Sequence, residues 1–319
     1  MHVTIPAKTL AGGVAAACRV VNRRTPSLSL RCLRIDSNDT TTIQATDLET
    51  VIQITVPVPA EVPGTVVVDA RWLHQLLAKR NGSTVLSNDA DQVTITIDGT
   101  TFSTLGVSPE DFPVLPDFPA DPPAAMLHAR DFVRAARMVL SAVAPLDERR
   151  VIFTGVMLES YEDGEFRMTA TDGRRLHGVT FAATSTPPFK AIVPQHALKA
   201  FLDAVGKDGS GIRVARIDGR ISLANDTVIV VARDLGVNGG KFPDVDVLTP
   251  KSFETTAVFD IGRLFNALSN VPHIPAPADS GVGDPGIEPV CIHFTQDRMV
   301  LSITSPNGNF LAEVPVELD

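Results

Sequence analysis

An α+β fold, built from repeated β-α-β-β-β half-units with helices on one face and antiparallel sheets on the other, is what three features of this 319-residue sequence predict. Strings recur at a fixed offset of 125 residues: Ala45-Thr46-Asp47-Leu48-Glu49 returns as Ala170-Thr171-Asp172-Gly173, and Val67-Val68-Asp69 as Ile192-Val193-Pro194. Within each copy a short strand leads into an amphipathic helix of about a dozen residues, and alternating strands follow. A Phe-Pro pair closes each copy, at Phe112-Pro113 and Phe242-Pro243.

The elements follow in order. Residues 3–5, a helix to Val21, and strands at 30–35, 40–45 and 51–58 make the first half-unit. Residues 66–69, a helix to Lys79, and strands at 84–86, 92–97 and 101–105 make the second. The opening helix pattern, Ile5-Pro6-Ala7-Lys8 onward, returns as Leu127-His128-Ala129-Arg130, and residues 192–198 open a fourth half. Residues 258–265 start a fifth that runs to Asp319, interrupted by a Pro-, Gly- and Asp-rich loop at 272–289. Five half-units are visible, not six. The expected domains are therefore 1–120, 121–250 and a shortened 251–319.

Composition narrows the function. With 44% hydrophobic and 20% charged residues the chain can bury sizeable cores. No apolar run approaches the ~20 residues of a membrane span, and the N-terminus lacks a basic-then-apolar leader, so a cytoplasmic location without membrane contact is expected. Cys18, Cys32 and Cys291 are scattered, and they read as small hydrophobes in a reducing compartment. One Trp and one Tyr argue against an aromatic platform for single strands.

Net charge is −9, which disfavours a simple basic-patch nucleic-acid binder, but its distribution is uneven. The five helix segments (5–24, 69–80, 128–143, 194–207 and 260–270) hold thirteen basic residues against four acidic, leaving −18 elsewhere. Lys and Arg are good helix formers on any solvated face, but Glu, equally good, is absent from these helices. If the helices face one side, that side attracts a polyanion while the sheets repel it.

No catalytic constellation emerges. Gly236-Val237-Asn238-Gly239-Gly240-Lys241 has the wrong spacing for a phosphate loop, and Phe242 stands where Ser or Thr must bind magnesium. Cys291 and His293 share a strand face without a second pair of ligands nearby. Asp47 and Asp172 recur at equivalent places, which argues for a shared structural turn. An active site is usually singular.

Taken in order, these strings resemble a bacterial-type DNA sliding clamp, the beta subunit of DNA polymerase III. The strongest matches are 45–49, Ala170-Thr171-Asp172-Gly173-Arg174-Arg175-Leu176, Arg150 with Gly155, and Lys241-Phe242-Pro243-Asp244 with Pro250. They cover about 250 residues well and the final 70 in part. The resemblance implies the DNA clamp fold: a ring, usually a head-to-tail homodimer, with helices inside and sheets outside. It implies no catalysis and no cofactor. Its partners are duplex DNA held without sequence preference, the replicative DNA polymerase, the clamp loader and other proteins with clamp-binding motifs.

The expected DNA-facing residues are Arg24, Arg71, Lys79, Arg80, Arg134, Arg137, Arg150 and Lys199. The family's paired tyrosines after the arginine matched by Arg150 are Val151 and Ile152 here. The resemblance also implies a pocket for short peptides, matched by Phe153, Thr171, Gly173, Arg174, Arg175, Leu176, Pro243 and Leu248. An apolar floor of Phe153, Leu176, Pro243 and Leu248 suits hydrophobic anchors of a peptide. Arg174 replaces a frequent His, and Val247 a frequent basic residue.

The third domain departs from the family. Residues 266–270 and 305–308 resemble its first half, which meets the next subunit, with Leu268 on that edge and Phe102 on the opposite one. Alternatively, 258–268 aligns without gaps to 67–77, and Val314-Pro315-Val316-Glu317-Leu318 resembles the family's closing M-P-M-R-L at the peptide pocket. Two functions stay open: a clamp encircling DNA, or a clamp-like module that binds a polymerase or regulator without encircling it.

Overall fold

In the computed structural model each half-unit opens on a strand that runs directly into a helix. The structure describes every residue except 23, 90–91, 116–124, 146–149, 186–187, 206–210, 238–239, 273, 275–288 and 319. The first half is β1 (His2–Pro6), α1 (Ala7–Ala17), β2 (Cys32–Ser37), β3 (Thr41–Thr46) and β4 (Thr50–Val56). The second is β5 (Gly64–Asp69), α2 (Ala70–Leu77), β6 (Ser83–Asp89), β7 (Gln92–Ile97) and β8 (Thr100–Leu105). The third is β9 (Ala125–Leu127), α3 (Ala129–Val139), β10 (Gly155–Ser160), β11 (Glu165–Thr171) and β12 (Leu176–Ala182), followed by a short β13 (Thr184–Ser185). The fourth is β14 (Lys190–Pro194), α4 (Gln195–Ala204), β15 (Ile212–Ile217), β16 (Arg220–Ala224) and β17 (Val228–Arg233).

Two half-units become one domain because each lends its leading strand to the other. β1 pairs antiparallel with β6, and β5 with β2. The second copy repeats the exchange, β9 with β15 and β14 with β10. The copies then join through β4 and β17, with Val228 opposite Ile54. The result is one nine-stranded sheet, β13-β9-β15-β16-β17-β4-β3-β2-β5, beside two four-stranded sheets, β1-β6-β7-β8 and β12-β11-β10-β14.

Helices form one layer against these sheets. α1 packs on both α2 and α4, and Phe132 of α3 meets Phe201 of α4 edge to face at 6.0 Å, both fully buried. Gly13 lets α1 approach β3, because a Cβ there would fall 2.7 Å from the Ile43 side chain. α1 is shorter than expected, ending at Ala17. The Cys18 amide still bonds Val14, but those of Arg19 and Val20 bond three residues back instead of four, a tightened turn where Val20 and Val21 disfavour more helix. α2 likewise stops at Leu77, so Lys79 and Arg80 follow the helix, and Lys79 takes a φ of 63°.

Matching apolar clusters sit under the two Phe-Pro pairs: Phe112 with Cys32 and Val67, and Phe242 with Ile152 and Ile192. Burial, with the Asp69 carboxylate adding to it, raises the Cys32 thiol to about 11. Residues 1–242 form one compact unit and residues 243–319 a second. The expected boundary at 120 lies outside the described residues.

The second unit holds α5 (Val245–Leu248), β18 (Ala257–Phe259), α6 (Ile261–Ser269), β19 (Cys291–Phe294), β20 (Arg298–Ser305) and β21 (Gly308–Leu318). Its sheet runs β18-β21-β20-β19. Its small core is Met299, Leu301, Val314 and Val316, with Leu264 and Ala267 of α6 against it.

Candidate nucleic-acid interface and peptide-docking face

The basic residues of the helix layer divide into those that are neutralised and those that are not. Arg19 is ion-paired with Asp203 of α4, so its charge joins α1 to α4 and is withdrawn from any ligand. Arg23 and Lys207 lie outside the described residues. Arg24, Arg71, Arg134 and Arg137 are exposed and make no ion pair among the described residues. Arg134 and Arg137, three apart on α3, share a helix face opposite the buried Phe132, Ala135, Ala136 and Val139. Lys199 on α4 is half-buried.

Arg71 borders a recess of about 200 Å³ between the start of α2 and the segment after α1, which Asp69, Arg31 and His74 also line with Cys18 and Val21. Sequence reasoning passed over Arg31 and His74, since neither falls in a repeated string. Arg80 turns toward the β8 edge, its guanidinium 5.9 Å from the Phe102 ring centroid. A residue expected to touch DNA and one expected at the subunit edge are thus in contact.

The junction between the copies is polar. Arg233 reaches Glu49 with Nη1 at 3.2 Å, and its amide donates to the Glu49 carbonyl at 3.0 Å. His196 at the start of α4 places Nε2 2.9 Å from Thr50 Oγ1 and 3.6 Å from Asp47 Oδ2. Desolvation at this junction pulls the imidazole below its ordinary value, partly opposed by the Asp47 carboxylate.

The repeated Thr-Asp strings are one turn used twice. Thr171 Oγ1 donates to the Arg175 carbonyl (2.7 Å) and accepts from Gly173 N–H (3.0 Å), and Asp172 Oδ1 accepts from the amides of Arg174 and Arg175. Thr46 and Asp47 make the corresponding bonds to Thr50, Leu48 and Glu49. Gly173 has φ 86°, and Leu48 holds the same conformation at φ 79°. The Arg174 amide first, then the Arg175 amide and side chain, hold the Asp172 carboxyl below its usual range.

In the second copy this turn carries the expected docking residues. A Cβ on Gly173 would stand 3.1 Å from Arg150 Nη1 and 3.8 Å from the Phe153 ring, so Arg150 and Phe153 converge over the turn. Phe153 meets Phe242 edge to face at 6.2 Å, on a floor with Ile152 and Ile192. Thr171 is buried, Leu176 half-buried, Arg174 and Arg175 exposed. Ile192 and Met157 were missed, although the 125-residue offset pairs Ile192 with buried Val67. Pro243 and Leu248 belong to the second unit, where Leu248 is exposed. Val314 and Val316 differ from expectation: both face the core of that unit, because alternate residues of β21 share a side, and only Pro315 of the three is exposed. Phe102 on β8 is half-buried and Leu268 on α6 is exposed, each in its own unit.

Comparison with known proteins gives a consistent outcome. Residues 1–116 match the family model for the DNA polymerase III beta subunit, N-terminal domain. The beta sliding clamp of Synechococcus elongatus is 28% identical over 236 residues, covering 72% of this chain and 61% of that protein. The chain thus spans about three fifths of the length of such curated relatives. Among solved structures, the beta subunit of Thermotoga maritima superimposes with a TM-score of 0.82 at 22% identity, covering all of this chain and 84% of that one. A sliding clamp of Bartonella birtlesii, solved with griselimycin bound, gives 0.81 at 21%, covering all of this chain and 85% of that one. No helix among the described residues is long and apolar enough to cross a membrane. Residues 1–116 are thus similar to the N-terminal domain of the DNA polymerase III beta subunit, and the fold of the chain is that of the solved beta subunits.

Proposed function

We propose that this protein is a non-catalytic processivity clamp of the cell interior. In this reading its helix layer lies against duplex DNA, a second copy completes the enclosure, and a polymerase, a loader and other motif-bearing proteins dock at the Phe153–Gly173 turn. Residues 1–120 and 121–250 act as two whole clamp domains and 251–319 as a shortened third. The observation that carries the reading is the row of exposed arginines on the helix layer, without ion pairs among the described residues, in a chain of net charge −9. Such a face holds phosphates loosely and without sequence preference, which a sliding interaction requires. Arg150, leaning on Gly173, serves the docking turn in this reading as much as the DNA.

The test is retention on nicked circular DNA compared with the same DNA linearised. A clamp stays on circles and slides off linear ends. Equal behaviour on both supports the second reading, a clamp-like module that does not encircle DNA. The single half-unit in residues 243–319 is the observation that favours that alternative.

A further inference from the structure

Among the described residues two acidic side chains are buried, and Asp234 is the deeper of them at 2% exposed. A carboxylate withdrawn from water is costly unless charge and hydrogen bonds replace the solvent. Asp234 Oδ2 accepts from Arg216 Nε of β15 at 2.9 Å. Its Oδ1 accepts from the amides of Ile192 on β14 and of Gly236, both at 2.8 Å. The Asp234 amide donates to the Gly219 carbonyl in the turn between β15 and β16. One carboxylate therefore joins the edge of β14, β15 and the segment after β17. Gly236 is fitted to it, since a Cβ there would stand 3.1 Å from Oδ1 and 3.7 Å from Ile192 Cδ1.

The first copy builds the same place without an acid. Val67 on β5 and Ile192 on β14 hold the same register, opposite Arg34 and Met157. Val107 donates its amide to the Val67 carbonyl at 2.9 Å, as Leu235 does to that of Ile192 at 3.1 Å. The residue before Val107 is Gly106, and the residue before Leu235 is Asp234. The half-unit therefore forms with no side chain at this position, and a need of the fold does not account for the carboxylate. What separates the copies is the use of the neighbouring turn. In the first, Glu49 and Thr50 are engaged by Arg233 and His196. In the second, their counterparts Arg174 and Arg175 are exposed.

We propose that Asp234 is a positioning residue for peptide docking, which sets affinity without touching the peptide. The carboxylate holds the Ile192 amide, and the next residue, Leu235, holds the Ile192 carbonyl. Ile192 and Leu235 pack on the floor formed with Ile152 and Phe242, and Phe153 stands edge to face on Phe242 beside Gly173. Fixing Ile192 from both sides of its peptide unit keeps that floor formed before a ligand arrives. A surface that is competent only part of the time binds more weakly in proportion, so a preformed floor shows as affinity. The proposal rests on the reading of the Phe153–Gly173 turn as a docking site and names the buried group that keeps it in shape.

The test titrates the full chain with a fluorescein-labelled clamp-motif peptide of a replicative polymerase, read by fluorescence anisotropy beside thermal melts. Asp234→Ala is expected to raise the peptide dissociation constant about tenfold, with retention on circular DNA unchanged. Asp234→Asn keeps an acceptor for both amides, and the Arg216 side chain, 41% exposed, can turn to water. Its affinity should therefore return to within about threefold of the parent chain. Gly236→Ala, which crowds Oδ1, is expected to weaken the peptide about threefold, and it decides the matter should Asp234→Ala fail to fold. Parental affinity in the folded alanine variants overturns the proposal and leaves Asp234 to stability alone. So does an Asp234→Asn variant as weak as Asp234→Ala, or a loss of DNA retention in step with peptide binding. A parent chain that binds no such peptide overturns the docking reading itself, and the proposal with it, so the two failures are told apart.

Discussion

Arg80 and Phe102 form a cation–π pair, guanidinium to ring centroid 5.9 Å, at the β8 edge of the first domain. The pair ties a cation of the proposed DNA face to the strand edge, so neither residue acts alone. Exposed pairs of this kind contribute about 0.5–1 kcal/mol. A double-mutant cycle of Arg80→Ala and Phe102→Ala, read by denaturant unfolding, is expected to show coupling of that size. Additive effects would show that the ring does not hold the guanidinium.

Arg134 and Arg137 lie exposed on one face of α3, whereas Arg19 is committed to Asp203. Removing a side chain that neutralises one DNA phosphate lowers the slope of log affinity against log salt by about 0.9. Arg134→Ala with Arg137→Ala should therefore reduce the slope by about 2. Arg19→Ala should leave it unchanged and lower thermal stability only slightly, since exposed pairs are worth about 0–1 kcal/mol. Equal reductions of slope in the two variants would mean that helix charge acts as a diffuse field.

Much of this was legible in the sequence because the repeat is exact in backbone chemistry. The 125-residue offset placed Thr46 and Thr171 in one turn type, and the structure shows the same side-chain bonds in both. The starts of α2 and α6 fall where the segments read from the sequence open, at 69 and 260, and the structure shows Asp69 and Asp260 capping them by accepting the Trp72 and Arg263 amides. Strand exchange between halves was not legible, because periodicity records which face of a strand is buried and not which strand lies beside it. Nor were Arg31 and His74, whose recess is made where the segment after α1 meets the start of α2. The expectation for Val314 and Val316 rested on resemblance alone, while strict alternation along β21 turns both inward.

His196 makes the junction between the copies sensitive to pH. Burial lowers its proton affinity, and Asp47 offsets that only in part. A histidine held neutral binds fewer protons folded than unfolded. Stability therefore rises with pH from the depressed folded value up to about 6.5, the unfolded value, and is level above it. The melting temperature of residues 1–242 in the full chain should fall on acidification through that window. His196→Gln, which keeps a polar partner for Thr50, should flatten this part of the profile. An unchanged profile would assign the acid sensitivity to other groups.

Leu48 and Gly173 are the same position in the two copies, with φ 79° and 86°. Glycine enters this conformation freely, whereas a residue with a Cβ is strained there by about 1–2 kcal/mol. Leu48 is 57% exposed, so its side chain returns little through packing. Leu48→Gly relieves the strain but loosens the unfolded chain by about 0.5–1 kcal/mol, which leaves a net gain of about 0–1.5 kcal/mol. Gly173→Ala runs the other way, adding the strain and bringing a methyl group to 3.1 Å from Arg150 Nη1. It should lower the melting temperature and, by moving Arg150 and Phe153 apart, weaken binding of a clamp-motif peptide more than Leu48→Gly does. Thermal melts of both variants, with peptide titration by fluorescence anisotropy, check the pair. Opposite signs in stability, with peptide affinity reduced only in Gly173→Ala, would show that one turn was kept as scaffold in the first copy and as docking site in the second.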